Sequence, residues 1–198
     1  MLRPLSTMRA FIALTPEGDV RAALWGAAGV LRAALGDAVA WVPEPALHVT
    51  LKFLGEVGEI DVDRIAAALR ARISSPEPLV LRLAGLGAFP SLRRPRVLWI
   101  GVAPNPGLAA LYQEIERAAV AVGLPADDRP FHAHLTLGRV RDRGRKDDVS
   151  LAELATELEF RADAAIRAVD VNESTLGRDG PRYCVVAAIP LVRGAREV

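Results

Sequence analysis

Two short stretches of this chain hold the same reactive pair at the same spacing. One is His48-Val-Thr-Leu51 and the other is His134-Leu-Thr-Leu137. Each lies in an apolar run bounded by turn-forming residues, which predicts a strand. Residues two apart on a strand share a face. His48 and Thr50 therefore point together, as do His134 and Thr136, while Val49, Leu51, Leu135 and Leu137 anchor the opposite face. If the stretches pack about a twofold axis, two imidazoles and two hydroxyls line one groove. Such a groove suits a phosphodiester. A neutral imidazole takes a proton from water, and an imidazolium protonates the leaving oxygen. The hydroxyls donate to the non-bridging oxygens as charge develops there. A strained 2′,3′-cyclic phosphate needs less activation than a linear diester. A single His-x-Thr means little; two copies, each followed by Leu, carry the assignment.

Neighbouring residues extend the candidate set. Arg139 ends the second motif. Strict alternation would turn it away from His134, but Gly138 can host a bulge that redirects it, which makes Arg139 a candidate phosphate ligand. Lys52 shares the face of His48 by spacing and is expected to be solvated. His132 precedes His134 by two positions and is expected at the periphery. Two histidines without a third ligand make a poor zinc site, so no metal and no cofactor is expected.

The elements that must position these residues follow from periodicity and punctuation. Strands are predicted over 9–14, 47–54, 79–86, 96–102, 133–140, 160–171 and 182–192. Helices are predicted over 17–35, 60–73, 107–122 and 149–158. The order strand, helix, strand, helix, strand occurs twice, with a histidine strand in the same place each time. That pattern points to an internal duplication, with halves of about 8–92 and 93–193 in one domain over 8–193. Residues 1–7 read as an extension, with Met8 a possible start. The stretch Arg139 to Asp148 reads as a charged loop.

Composition narrows the function classes. A chain of 198 residues with 51% apolar and 25% charged side chains has the balance of a globular protein. Its net charge of +1 gives no global attraction to nucleic acid, so any RNA binding must come from a local patch. Apart from Lys52 and Lys146 the basic residues are arginines, most of them read as ordinary surface. One cysteine, Cys184, excludes an internal disulfide and favours a reducing compartment. Its apolar surroundings predict a buried thiol. No apolar run reaches membrane-spanning length, and the N-terminus lacks a signal-peptide core. A cytoplasmic monomer without membrane contact is expected.

Beyond the motifs, nearly the whole chain resembles the two-histidine phosphoesterases, and within them the bacterial and archaeal RNA 2′,3′-cyclic phosphodiesterases also called 2′-5′ RNA ligases. The resemblance runs through Met8-Arg-Ala-Phe-Ile-Ala13, Trp41 to Glu56, Gly85-Leu-Gly-Ala-Phe-Pro90, Arg94-Pro-Arg-Val-Leu-Trp99 and Arg129 to Arg139. It departs at Val171-Asn-Glu-Ser174, where relatives tend to carry an aromatic before Glu-Ser. The resemblance implies an α+β fold of two similar lobes, with antiparallel sheets around a central cleft and helices outside. It also implies that His48 is the proton donor and His134 the acceptor, a choice the near-symmetric motifs themselves leave open. Thr50, Thr136 and Arg139 would hold the phosphate, and the product would be a 2′-phosphomonoester. The partner would be RNA with a 2′,3′-cyclic end, such as tRNA fragments, and the reverse chemistry would join 2′-5′ bonds without a nucleotide cofactor. A cyclic phosphodiesterase for a small nucleotide, and a non-catalytic RNA-binding module on the same fold, are the rival readings.

Overall fold

The computed structural model describes residues 7–73, 78–141, 150–177 and 180–191. The chain opens with strand β1 (Thr7–Leu14), whose last five residues are all buried. A single helix over 17–35 is predicted, but two form, α1 (Gly18–Ala27) and α2 (Gly29–Leu35). The interruption lies between Gly26 and Gly29, residues of low helix propensity. The guanidinium of Arg32 donates to the Trp25 carbonyl at 2.6 Å and lies over the Trp25 ring, satisfying a carbonyl at the break. Gly36, at φ +49°, ends α2.

The remaining elements follow in chain order. They are β2 (Val39–Trp41), β3 (Val49–Gly58), α3 (Glu59–Arg72), β4 (Leu79–Phe89), β5 (Val97–Val102), α4 (Pro106–Ala121), β6 (His134–Val140), α5 (Leu151–Glu157), β7 (Arg161–Ile166), β8 (Ala168–Gly177) and β9 (Gly180–Pro190). Glycine was expected to close the strands at Gly55 and Gly85. Both strands continue, because each glycine has a positive φ and sits in a bulge. The strand expected over 160–171 divides at Arg167 into β7 and the start of β8. Most of the charged loop, residues 142–149 with Lys146, lies outside the described residues, as does Val192, the last residue of the expected final strand.

Among the described residues the strands form one antiparallel sheet in the order β7-β4-β5-β6-β3-β1-β8-β9, with β2 added on β6. The order mirrors itself about the junction of β6 with β3, the two histidine strands. The later strands cross over: β4 joins β5, and β8 joins β1. Each side of the sheet is thus built from both early and late parts of the chain. One face carries the core, where Ile12, Leu14, Val49, Ile65, Leu69, Leu98, Ile100, Ile115 and Leu135 are fully buried. Removing each such side chain from water contributes roughly 1.5–3 kcal/mol. This layer fixes β3 and β6 from behind and leaves their other face open. Among the described residues no helix is long and apolar enough to cross a membrane.

Candidate active site

The two histidines are held in the same way. His48 Nδ1 lies 2.7 Å from the Ala46 carbonyl, and His134 Nδ1 lies 2.7 Å from the His132 carbonyl. A carbonyl only accepts, so each Nδ1 carries the proton and each Nε2 is the nitrogen left for chemistry. His48 Nε2 is 3.0 Å from Thr50 Oγ1, whose hydroxyl donates to it when the ring is neutral. Val49 stands opposite Leu135 in the antiparallel register. Counting outward from that pair, His48 faces Thr136 and Thr50 faces His134. Opposed residues on one face have Cβ atoms about 5 Å apart and diagonal ones about 7–8 Å. The imidazoles are therefore diagonal partners, with the hydroxyls on the other diagonal.

Bulges decide which neighbours join them. On β6, Thr136 pairs with Trp99 and Gly138 with Leu98, so Leu137 is an extra residue. Alternation resets there, and Arg139 emerges on the face of His134 and Thr136. Gly138 packs tightly against β2; a Cβ there would come 2.5 Å from Val39 and 3.0 Å from the Ala40 carbonyl. Arg139 is exposed, and its charge acts on both His134 and Tyr183. On β3, Thr50 pairs with Ala13 and Lys52 with Ile12, so Leu51 is extra. This bulge has the opposite consequence: it turns Lys52 away from His48.

Aromatic side chains wall both histidines. Phe11 lies 4.9 Å from His48 between ring centroids, and Tyr183 stands edge-on to it at 5.2 Å. Phe89 stands edge-on to His134 at 5.0 Å, with Trp99 at 6.0 Å. Trp99 can lie against the sheet because residue 87 is glycine; a Cβ there would meet the indole at 2.1 Å. Burial lowers the pKa of His48 below the ordinary 6.5; the Ala46 carbonyl opposes this, and the charge of His134 adds to it. Burial likewise lowers His134; the His132 carbonyl opposes it, while the charges of His132 and Arg139 add to it.

Comparison with known proteins supplies the family. The family model of the 2′-5′ RNA ligase superfamily matches residues 20–177. The chain belongs to this superfamily. A relative from Aeropyrum pernix named RNA 2′,3′-cyclic phosphodiesterase is 35% identical over 150 residues, covering 72% of this chain and 80% of the relative. One of the same name from Methanothermobacter thermautotrophicus is 34% identical over 179 residues, covering 89% and 95%. The crystal structure of a Thermus thermophilus protein superposes with a TM-score of 0.77 at 28% identity, covering 93% of this chain and 98% of that one. That of E. coli LigT complexed with 3′-AMP gives 0.73 at 27% identity, covering 94% and 99%. The α+β fold with antiparallel strands and outer helices expected from the sequence is the one these 2′-5′ RNA ligase relatives share.

Within this superfamily member the sequence-predicted residues separate into two groups. The sheet brings His48, Thr50, His134, Thr136 and Arg139 to one face. Lys52 is not with them. It is 2% exposed, where a solvated side chain was expected, and it pairs with Glu116 at 2.7 Å and Asp127 at 3.1 Å. His132 is exposed at the rim and packs edge-on against Trp99 and Phe89. Cys184 was expected to be buried and is exposed. Alternation along β9 turns Tyr183 toward His48 and Cys184 away from it. Among the described residues no three His, Cys, Asp or Glu side chains are grouped to hold a metal ion. The aromatic walls were not foreseen. Phe89 and Trp99 lie in conspicuous motif stretches, whereas Tyr183 gave only its place in an alternating strand.

Proposed function

We propose that this chain hydrolyses the 2′,3′-cyclic phosphate at the end of an RNA to a 2′-phosphomonoester, with His48 and His134 moving the protons. The observation that carries the reading is the pair of matched imidazoles, each fixed through Nδ1 and each offering Nε2 on the same sheet face. The shared name of the 2′-5′ RNA ligase relatives supports the substrate class. His134 Nε2 takes a proton from the attacking water as its oxygen bonds to phosphorus. The bond from phosphorus to the 3′ oxygen breaks, and that oxygen takes the proton of the His48 imidazolium. Thr50 and Thr136 donate to the non-bridging oxygens, and Arg139 balances their charge. Solvent then returns a proton to His48 and removes one from His134.

The two rings differ in their charged neighbours. His132 and Arg139 both disfavour a second positive charge on His134. On His48, among the described residues, a charge on His134 acts in the same sense. Burial is the largest cause lowering the pKa of both rings, so His48 as acid and His134 as base follow the family resemblance. With a 5′ hydroxyl in place of water, the same ring opening gives a 2′-5′ linkage with no nucleotide cofactor. The protein works as a cytoplasmic monomer on RNA ends such as those of tRNA fragments; its single cysteine suits that reducing compartment.

The test is incubation of a short RNA ending in a 2′,3′-cyclic phosphate, in EDTA, with the product phosphate located by NMR. A 2′-phosphate at an undiminished rate is expected. A 3′-phosphate, or activity lost in EDTA and restored by one divalent metal, would overturn the reading. A rate far higher on ADP-ribose cyclic phosphate than on RNA would move the substrate class to small nucleotides.

A further inference from the structure

Lys52 is the buried charge that the reaction does not use. It lies on β3, four residues after His48, with its ammonium against Glu116 of α4 and Asp127 of the segment leading into β6. The corresponding position in the second motif is Gly138, so the lysine has no duplicate. Glu116 is held on both oxygens: Oε1 accepts from Lys52 Nζ, and Oε2 accepts from the Asp127 backbone N–H at 3.0 Å. One turn earlier on α4, Tyr112 stacks face to face on Phe131, with centroids 4.2 Å apart and planes 8° from parallel. Positions four apart on a helix present neighbouring side chains. A single stripe of α4 therefore grips the segment from 127 to 131 at both ends. The next residue, His132, supplies the carbonyl that fixes His134 Nδ1.

We propose that Lys52, Glu116 and Asp127 form a strut that positions His134, tying its approach segment to the strand that carries the other histidine. The claim rests on the reading that His134 is the base. A buried charge deprived of its partner is strongly destabilising, so this cluster is costly to disturb and correspondingly rigid. Small displacements matter at a proton-transfer site; a shift of about 1 Å from a remote change can cost about 100-fold in rate. The Lys52 ammonium is buried against Glu116 and Asp127, away from the groove face, so the effect falls on kcat.

The experiment compares Asp127→Asn and Glu116→Gln with the parent and with His134→Ala. The Asp127 side chain is 41% exposed, which lets the first variant fold. Each is expected to lower kcat about 10- to 100-fold with KM unchanged. The His132 carbonyl raises the pKa of His134, so a loosened bond moves the limb of the pH profile that belongs to His134 toward acid. The limb set mainly by His48 shifts less, since only its interaction with His134 changes, and His132 and Arg139, the charged neighbours of His134, are untouched. In nitrogen-15 NMR of the imidazoles, His134 should lose its single Nδ1–H tautomer while His48 keeps it. Folded variants with the parental kcat, pH profile and His134 tautomer would overturn the strut. So would a loss of rate that merely follows the loss of folded protein. If His134→Ala keeps full activity, the functional reading fails instead, and the tautomer measurement still decides the strut.

Discussion

The surroundings of His48 and His134 are built alike and charged differently. Each ring is fixed at Nδ1 by a carbonyl two residues earlier, and each is walled by two aromatics. Around His48 the near neighbours are Phe11, Tyr183 and the Thr50 hydroxyl. Around His134 they include His132 and Arg139, two bases. Repetition of a motif supplies matched geometry, whereas the charges around the two rings differ in what is not repeated. The Leu137 bulge that delivers Arg139 to one side of the groove is the clearest of these differences, since the matching bulge at Leu51 removes a lysine from the other.

Replacing the rings should break the comparison most severely. His48→Ala and His134→Ala should each lose roughly 10²–10⁴-fold in kcat, the usual contribution of a proton-transfer group. The double variant should be little worse than either, because the two act as a unit. A substrate with a much better leaving group should restore His48→Ala and leave His134→Ala slow; the opposite pattern would exchange the roles.

Removing the charge that distinguishes the sites comes next. Arg139→Gln should weaken substrate binding by about 1.5–3 kcal/mol, the range for a hydrogen bond to a charged group. It should also raise the pKa of His134, since Arg139 lowers it. Kinetics across pH measure both effects, and a profile unchanged by the substitution would remove Arg139 from the site.

Gly87→Ala probes the wall of His134. The added methyl must displace the Trp99 indole, at a cost in stability of about 1–3 kcal/mol as for other overpacked positions. Urea denaturation gives the cost, and kcat/KM should fall with it; an unaltered indole environment by fluorescence would refute the packing argument.

The smallest effect is the dependence of stability on pH. Both imidazoles titrate below 6.5 in the folded chain, so below that pH the unfolded chain binds more protons. Their contribution is present above pH 6.5 and is lost as the pH falls through that value toward the folded pKa values. Thermal melts should show Tm declining over this window, and His48→Gln should flatten the decline.

How much of this was legible in the sequence depends on what each conclusion required. The quartet was legible because period-two alternation and a repeated motif are local. Arg139 required a bulge, and Gly138 announced that a deviation from alternation was permitted there. Lys52 failed for the same reason in reverse: nothing in Thr50-Leu-Lys52 marks an inserted residue, and burial of a lysine depends on two carboxylates far along the chain. Cys184 was misplaced because an apolar run was read as core, while Tyr183 beside it took the inward position. The crossing of β4 and β8 was not legible at all, since strand patterns specify faces and not neighbours.

That crossing has a consequence for how the molecule is made. A chain emerging from the ribosome at about 5–20 residues per second presents β1 and β3 long before β8 exists. The free edge of β1 must wait for a partner from the far end of the sequence, and Phe11 waits with it for Tyr183. Translation therefore finishes the pocket around His48 last, even though His48 is the first of the two histidines to be synthesised. Chains stalled late in translation should carry one completed histidine wall and one unpaired, adhesive strand, the kind of edge that nascent-chain chaperones cover.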